Sequence, residues 1–354
     1  LEFARVLITN YNASGNKLLD EAIKAKKIDF GQVAFVNGKA DPNLRLKSVA
    51  DANNMSFVNL MLDHGGDVNL AMHGVIEHKQ VTVLKRLIGA GANVNKPEHL
   101  VLAVQKKSLE MTTMLVDAGA NTNPGMKPAI AQDSYSIISF LLSKGASPIG
   151  HLVTPACNGK TKTVKLLLEY KGDPNEGMKC ATEKNFGEMT HMLLSAGAKP
   201  NGFMVIPANK GYEQVVKYLV EFGAAAQEGI KASVEGNHTK IVDFLLTSGA
   251  KPKDLVKIAA NNNNPQVVSL LCKFGDAPKP GMMPAVTKGF VEVAQVLVGL
   301  GVDPKPYEYL RAAVDNNKAP MAKFLLDNGS DVNHKVENDL TLLHIAANNR
   351  AAGE

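Results

Sequence analysis

The sequence predicts an all-α fold, an alpha solenoid of about twelve helix-turn-helix repeats packed side by side. Three observations predict it: a closing motif that recurs at a fixed interval, an apolar stripe with helical spacing, and a turn held by residues that tolerate positive φ. Nine of the eleven intervals between closing residues are 26 residues long, and two are 28. The closing residues are Lys39, Gly65, Gly91, Gly119, Gly145, Lys171, Gly197, Gly223, Gly249, Gly275, Gly301 and Gly329.

The second half of each repeat has the pattern of an amphipathic helix of about ten residues. Val, Ile or Met mostly occupies the positions seven and eight before the closing residue, which completes an i, i+3, i+4 stripe. The position four before it is always apolar: Met61, Leu87, Leu115, Leu141, Leu167, Leu193, Leu219, Leu245, Leu271, Leu297 and Leu325. We expect this stripe to be buried between neighbouring repeats.

The first half of each repeat predicts a shorter helix of about two turns. At the start of a helix a backbone N–H has no helical hydrogen-bond partner, so proline, which lacks this N–H, is tolerated there. Four repeats have proline near the start of the first helix: Pro128, Pro155, Pro207 and Pro284. A sharp turn then separates the two helices. Residues that tolerate positive φ hold that turn in eight of eleven repeats: Asn53, Gly159, Asn185, Gly211, Asn237, Asn263, Gly289 and Asn317.

The composition is that of an ordinary soluble chain, with 45% apolar residues, 21% charged residues and a net charge of +5. A charge this mild does not call for nucleic acid. No apolar run approaches the ~20 residues that a membrane span needs. The three cysteines are an odd number without metal-ligand spacing, so we expect no disulfide framework. A reducing, intracellular location follows, in the cytoplasm or alternatively the nucleus.

The repeats predict a single elongated domain over residues 1–354, on the order of 100 Å long for helices 8 to 10 Å apart. We expect a capping helix in residues 1–15, short repeats in residues 16–333, and the start of a full-length repeat in residues 334–354. The chain begins at Leu1, and its last repeat stops after one helix. We therefore expect a fragment of a protein that continues into further full-length repeats.

The repeat resembles the ankyrin repeat. The resemblance rests on LLSAGAKPN, LLEYKGDPN and LLDNGSDVN for the second helix and its loop, and on TLLHIAA, from Thr341 to Ala347, for the first helix. An ordinary ankyrin unit has 33 residues, and most repeats here lack the seven that form its projecting finger. The resemblance implies a non-enzymatic scaffold or adaptor that binds another protein on the concave face of an ankyrin-like solenoid. We expect the chain to be monomeric.

Catalytic and metal-binding motifs are missing from the sequence. It has no GxSxG, P-loop or GxGxxG pattern. The string HGVIEH, from His73 to His78, lacks the HExxH spacing that places two histidines on one helical face for zinc. Cys272 occupies an otherwise apolar column and is expected in the core. We therefore expect no catalytic residues, no metal site and no cofactor.

A basic column lies at the start of the first helices, one residue after an apolar anchor. Its members are Lys47, His73, Val101, Lys127, Val153, Lys179, Val205, Lys231, Lys257, Met283 and Arg311. Because the first helices of such an array point the same way, their positive N-terminal ends would add to an attraction for carboxylates or phosphates. The alternative is local i, i+4 pairing. An acidic residue stands four positions later in five repeats: Asp51, Glu77, Glu183, Glu235 and Asp315.

The candidate partner-binding residues combine this column with other polar residues of the first helices. They are Lys47, His73, Lys127, Lys179, Lys231, Lys257 and Arg311 from the column, with Glu183, Lys184, Lys210, Glu235 and Lys288 on the exposed side. Two other functions stay open. One is a module that binds an anionic ligand or nucleic acid, against which the alternating charges argue. The other is a targeting or regulatory segment of a larger enzyme or channel.

Overall fold

The computed structural model describes residues 1–334 and Leu342, and within them it contains helices and turns and no strand. The chain divides into two units, Leu1–Asp173 and Pro174–Glu354. The predicted all-α fold of helix-pair repeats is confirmed in both, because each unit contains six helix pairs. The single elongated domain stays a prediction. The full-length repeat expected in residues 334–354 lies outside the described residues, apart from His334 and Leu342.

The N-terminal unit begins with a lone helix and continues as alternating first and second helices. Its helices are α1 (Glu2–Tyr11), α2 (Gly15–Ala25), α3 (Ile28–Val36), α4 (Asn43–Asp51), α5 (Met55–Asp63), α6 (Met72–Glu77), α7 (Val81–Gly89), α8 (Pro97–Gln105), α9 (Leu109–Asp117), α10 (Asn123–Ala131), α11 (Tyr135–Ser143), α12 (Val153–Cys157) and α13 (Thr161–Glu169). A 3-10 turn, Val68–Leu70, precedes α6. The first helices α4, α6, α8, α10 and α12 contact one another in succession.

The C-terminal unit has the same construction. Its helices are α14 (Asn175–Glu183), α15 (Gly187–Ser195), α16 (Val205–Lys210), α17 (Glu213–Glu221), α18 (Gln227–Glu235), α19 (Thr239–Thr247), α20 (Val256–Asn261), α21 (Pro265–Lys273), α22 (Met282–Lys288), α23 (Val291–Gly299), α24 (Tyr307–Asp315) and α25 (Ala319–Asp327). A 3-10 turn, Lys279–Gly281, precedes α22. The even-numbered first helices contact each other in succession, and so do the odd-numbered second helices.

The core is the predicted apolar stripe. All eleven residues four positions before the closing residue are inaccessible to solvent, from Met61 to Leu325. The anchor positions of the first helices are buried beside them, including Met72, Met204 and Met282. Burying a side chain of this size stabilises the fold by about 1.5–3 kcal/mol. The array is therefore held together by apolar contacts within and between helix pairs.

The turn between paired helices has positive φ in every repeat, as predicted for eight of them. Glycine or asparagine holds those eight, with φ from 54° at Asn263 and Asn317 to 80° at Gly211. No glycine or asparagine marks the turn at Lys79, Lys107 and Asp133, which nevertheless have φ of 55°, 55° and 51°. All twelve closing residues also have positive φ. In each repeat the chain therefore reverses direction twice, each time at a residue with left-handed backbone conformation.

The first helices alternate between two lengths, which the 26-residue interval did not predict. Over the middle of the chain α10, α14 and α18 have nine residues, whereas α12, α16 and α20 have five or six. The short ones follow a positive-φ residue: Gly150, Gly202 or Asp254. The long ones carry a glycine every 52 residues, at Gly125, Gly177 and Gly229. The structural repeat is therefore a pair of 26-residue units.

The glycines of the long first helices allow close approach to neighbouring helices. A Cβ at Gly229 would lie 2.5 Å from Cγ of Met204 and 3.1 Å from a methyl of Leu245. At Gly125 it would lie 3.0 Å from a methyl of Leu141. Neither glycine has positive φ. They are required by packing and not by backbone conformation.

The segment predicted to cap the array forms α1, which contacts α3 and buries Ile8. Its exposed surface mixes apolar side chains, with Phe3 75% and Tyr11 74% exposed, and the polar Glu2 and Arg5. The capping role of residues 1–15 stays a prediction.

The cysteines differ from the expectation of no disulfide. Cys157 and Cys180 are each disulfide-bonded, so that expectation is wrong for these two, because spacing along the chain does not report which thiols are oxidised. Cys272 is a free thiol that is half-buried. Burial raises the pKa of the Cys272 thiol to about 11, which leaves it protonated and unreactive at neutral pH. The cysteines no longer support a reducing compartment, and the location stays a prediction.

Candidate interaction surface

The first helices of the C-terminal unit present a row of exposed side chains, one from each repeat. Every member lies six residues before the positive-φ turn of its repeat, so all occupy the equivalent position of their helices. The members of this first-helix row are Lys179, Val205, Lys231, Lys257, Met283 and Arg311. All six are exposed, and the helices that carry them contact one another in order. The six residues lie exposed on first helices, and their binding to a partner stays a prediction.

The N-terminal unit has a corresponding set. Lys47, His73 and Lys127 are exposed on α4, α6 and α10, and Val153 is exposed on α12. Val101 on α8 is half-buried. The predicted basic column is therefore accessible within each unit.

Local pairing explains only part of the column. Lys231 lies 3.7 Å from Glu235, and Arg311 lies 3.5 Å from Asp315. Both pairs are largely exposed, and such pairs stabilise a protein by about 0–1 kcal/mol. The other three predicted i, i+4 pairs do not form among the described residues: Lys47 with Asp51, His73 with Glu77, and Lys179 with Glu183. Local pairing therefore accounts for two of the five predicted pairs.

Glu77 shows why i, i+4 spacing within one helix did not predict the ion pairs that form. Its carboxylate accepts a hydrogen bond from the ammonium of Lys106, which belongs to the next repeat. The Lys106 hydrogen bond lowers the pKa of Glu77. Neighbouring repeats thus compete with the i, i+4 partner of the same helix.

A turn ladder joins the ends of successive first helices. Its donors come from one repeat and its acceptors are carbonyls of the preceding repeat. Lys288 Nζ donates to the carbonyl of Asn261 at 3.0 Å. Asn262 Nδ2 donates to the carbonyl of Val234 at 2.9 Å. Lys288 was predicted to contact a partner, yet its ammonium links two repeats.

The same ladder occurs in the N-terminal unit. Gln132 Nε2 donates to the carbonyl of Gln105 at 3.1 Å. Lys, Asn and Gln therefore fill one structural role in different repeats. The turn ladder could not be predicted from the sequence, because no single residue type occupies its donor position.

The other predicted residues at this edge, Lys210, Glu183 and Glu235, lie at the last turns of first helices, and Lys184 at the cap that follows α14. The side chains of Lys210 and Glu183 form no hydrogen bond or ion pair with another described residue. They are available to a partner. Lys184 has an interaction of its own.

A loop ladder joins successive closing loops. An amide side chain at the start of one repeat accepts a hydrogen bond from the backbone N–H of the next loop. The donor–acceptor pairs are Asp41 to Asn16 at 2.8 Å, Asp67 to Asn43 at 2.7 Å, Asn93 to Asn69 at 2.8 Å, Ser147 to Asn123 at 2.8 Å, Lys199 to Asn175 at 2.9 Å and Lys251 to Gln227 at 2.9 Å. These bonds connect loops that have no finger.

A buried carboxylate replaces the loop ladder further along the C-terminal unit, where the amide position becomes Lys253. Asp276 accepts hydrogen bonds from the backbone N–H groups of Asp254, Leu255 and Val256 at 3.0, 2.8 and 3.0 Å. These donors lie at the start of α20, where helical N–H groups lack internal partners. Asp276 thus caps the helix of one repeat from the loop of the next.

The described residues contain no group of three or more His, Cys, Asp or Glu side chains arranged to hold a metal ion. Between α17 and α19 is a cleft of about 250 Å³. Lys240 borders it and lies 3.9 Å from Glu213. As for the membrane, no helix in residues 1–334 combines the length and the apolar character required to cross a bilayer.

The sequence matches no protein-family model and no curated protein. Among solved structures, the crystal structure of the human ASB11 ankyrin repeat domain is similar over 51% of this chain and 98% of that domain, with 20% sequence identity and a TM-score of 0.44. The fold itself is defined by the helix pairs and left-handed turns described above. They make the protein an all-helical array of repeated helix pairs.

Proposed function

We propose that the protein is a non-enzymatic interaction module, a scaffold or adaptor that binds another protein on the side formed by its first helices. The observation that carries this proposal is the first-helix row. Its six side chains come from six successive helices and remain exposed after the helices have packed. The apolar side chains Val205 and Met283 stand among its charged ones, and protein–protein interfaces combine apolar and polar surface in this way.

The proposed contact surface extends beyond the row to the ends of the first helices. Lys210 and Glu183 are free of partners among the described residues and join it in the C-terminal unit. Lys47, His73 and Lys127 form the corresponding surface of the N-terminal unit. In an ankyrin-like array this side would be the concave face, and without fingers the groove would be shallow.

Affinity capture from native cell extract tests the proposal. The bait is the chain, compared with a variant that carries Lys179→Glu, Lys231→Glu and Lys257→Glu. We expect a defined set of proteins to bind the chain and to be lost from this variant. The matched control reverses three exposed lysines of second helices, Lys217→Glu, Lys273→Glu and Lys323→Glu, and should capture the same proteins. Equal capture by all three baits would exclude the first-helix side as the binding surface.

A second candidate is a module that binds an anionic ligand or nucleic acid. It is favoured by Lys127 and Lys257, which are exposed and lack an ion-pair partner among the described residues. Such binding falls steeply with salt because counterions are released. Heparin and single-stranded RNA therefore serve as probes at low and physiological salt. Retention that Lys127→Glu and Lys257→Glu abolish would favour this function over protein binding.

A cytoplasmic location and a monomeric state are part of the same proposal. Fluorescence microscopy of the tagged chain tests the location, and sedimentation velocity tests the state. Exclusion from the cytoplasm, or a concentration-dependent dimer, would contradict them. A role as the targeting or regulatory segment of a larger enzyme or channel would appear in the full reading frame.

A further inference from the structure

We infer that the first-helix row of the C-terminal unit binds an extended polypeptide segment in which acidic and apolar residues recur at every third position. This inference rests on the proposed protein-binding function and specifies the chemistry of the partner.

The first observation is the charge of the surface. The first-helix row and the C-terminal ends of the same six helices carry seven basic residues and three acidic ones. The basic residues are Lys179, Lys184, Lys210, Lys231, Lys257, Lys288 and Arg311, and the acidic ones are Glu183, Glu235 and Asp315. Two of the acids form the exposed pairs with Lys231 and Arg311. The excess of positive charge is complementary to a partner with carboxylates.

The second observation is the apolar surface between those charges. Val205 is 54% exposed and Met283 is 38% exposed, each beside a lysine-bearing helix. Ile206 next to Val205 is also exposed. A phosphate backbone makes no use of aliphatic side chains, whereas a polypeptide can bury its own apolar side chains against them. The mixture favours an acidic protein segment over a nucleic acid.

The third observation is the spacing. Packed helices lie about 8–10 Å apart, and an extended chain in the polyproline II conformation advances about 3.1 Å per residue with three residues per turn, so every third side chain lies on the same face. An extended segment that crosses the row therefore moves by three residues from one repeat to the next. The row reads basic, apolar, basic, basic, apolar, basic from Lys179 to Arg311. The complementary segment has sixteen residues, with carboxylates at positions one, seven, ten and sixteen and apolar side chains at four and thirteen.

The pattern is the same in both directions. Reversing the row gives the same order of basic and apolar positions, so a segment of this design fits with either polarity. Its two central carboxylates face Lys231 and Lys257 whichever way it runs. This symmetry allows a charge-exchange experiment that does not require the orientation to be known.

A synthetic sixteen-residue peptide of this design, labelled with a fluorophore, tests the inference by fluorescence anisotropy with the whole chain. We expect saturable binding that weakens as salt is raised. A scrambled peptide of the same composition, whose carboxylates and apolar side chains no longer recur at every third position, should bind at least about tenfold more weakly, a loss measured directly as a ratio of dissociation constants. Equal affinity of the two peptides would overturn the inference.

Charge exchange provides the sharper test. The double variant Lys231→Glu and Lys257→Glu should lose at least about tenfold in affinity. A peptide with lysine at positions seven and ten should bind this variant and not the original chain. The control variant, Lys217→Glu with Lys273→Glu on second helices, should bind the original peptide unchanged. Failure of the exchanged peptide to restore binding would overturn the inference.

The remaining outcomes separate this inference from the proposed function. One outcome is that proteins are captured from extract through the first-helix lysines, while the peptide does not bind up to millimolar concentration. This outcome would support the interaction module and overturn the inference that its partner is an extended acidic segment. Displacement of the peptide by single-stranded RNA at physiological salt, with tighter binding of the RNA, would also overturn it in favour of a nucleic-acid surface.

Discussion

Lys107 occupies the left-handed turn between α8 and α9 with φ of 55°. A side chain in this conformation costs about 1–2 kcal/mol, and glycine avoids the strain but adds freedom to the unfolded chain. We therefore expect Lys107→Gly to be more stable than Lys107→Ala by about 0.5–1 kcal/mol. Urea unfolding midpoints measure the difference.

The matched control is Lys85, an exposed residue inside α7. There the order should reverse, because glycine is about 1 kcal/mol less favourable than alanine in a helix. The same order at both positions would contradict the role of the turn.

His99 is the buried residue of the N-terminal unit whose ionisation should affect stability. It is 3% exposed, and its Nδ1 has no hydrogen-bond partner. Burial lowers the pKa of His99 below its usual 6.5, with nearby Glu98 acting in the opposite direction. The folded chain then binds fewer protons than the unfolded chain. Stability is fully present above about pH 6.5 and falls as the pH decreases below it.

Chemical denaturation at pH 7.5 and 5.5 measures this effect. We expect a lower unfolding midpoint at pH 5.5, and a smaller difference in His99→Gln, whose side chain stays neutral at both values. The carboxylates with lowered pKa, Glu77 and Asp133, lose their contribution in a more acidic window. An unchanged pH dependence in the variant would assign the loss to other groups.

At the scale of the elements, the loop ladder should contribute measurably to the attachment of neighbouring repeats. Gln227 accepts from the Lys251 N–H at 2.9 Å and donates to its carbonyl at 3.2 Å. We expect Gln227→Ala to lower stability by about 1–2 kcal/mol, since each hydrogen bond contributes about 0.5–1.5 kcal/mol. Asn201 stands at the equivalent position one repeat earlier and makes no such bond. Asn201→Ala should leave the urea midpoint unchanged, and equal losses would contradict the ladder.

The alternation of long and short first helices depends on the packing glycines. Alanine at Gly229 would place a methyl 2.5 Å from Met204, so we expect Gly229→Ala to lower stability by about 1–3 kcal/mol. Gly299 at the end of α23 has no atom within 4 Å of its Cβ position. Gly299→Ala should raise stability by about 0.5 kcal/mol. Thermal unfolding of both variants distinguishes the packing effect from a general effect of alanine.

The elements themselves were largely predictable, and the contacts between repeats were not. The apolar stripe and the Gly or Asn turns depend on positions within one repeat, so a single repeat displays them. The ladders join residues about 24 to 30 positions apart, and Lys288, Asn262 and Gln132 make the same bond with different side chains. No column of identical residues marks such a bond. The i, i+4 pair expected at Glu77 failed for the same reason, because Lys106 of the next repeat reaches it.

At the scale of the whole molecule, the candidate surface was predictable in position and not in chemistry. A residue one step from a buried anchor must point outward in every repeat, and the exposure of Lys179, Lys231 and Lys257 follows from that spacing. The identity of a partner depends on a second molecule and leaves no mark on helix periodicity. The alternation with exposed Val205 and Met283 becomes informative only when the helices are known to be adjacent.

Because each repeat contacts its neighbours in the chain, the position of a destabilising substitution determines which repeats of the C-terminal unit it affects. α17 contacts α15, α16 and α19, whereas α25 contacts α23 and α24. Leu219 in α17 and Leu325 in α25 are both inaccessible to solvent. Truncation of either leucine to alanine should cost about 2–5 kcal/mol. In an array where each repeat depends on its neighbours, the loss should appear first in the adjacent repeats.

Hydrogen exchange followed by mass spectrometry measures this directly. We expect Leu219→Ala to accelerate exchange in α15 to α19 and to leave α25 nearly unchanged, and Leu325→Ala to accelerate α23 to α25 and to leave α15 nearly unchanged. The two variants serve as controls for each other, since the same substitution is made at equivalent positions four before the closing residue. A uniform acceleration over all twelve helices of the unit in both variants would show one cooperative block. Destabilising any one helix of the first-helix row would then unfold the whole row at once. The proposed binding of a partner would be lost completely, and not one repeat at a time.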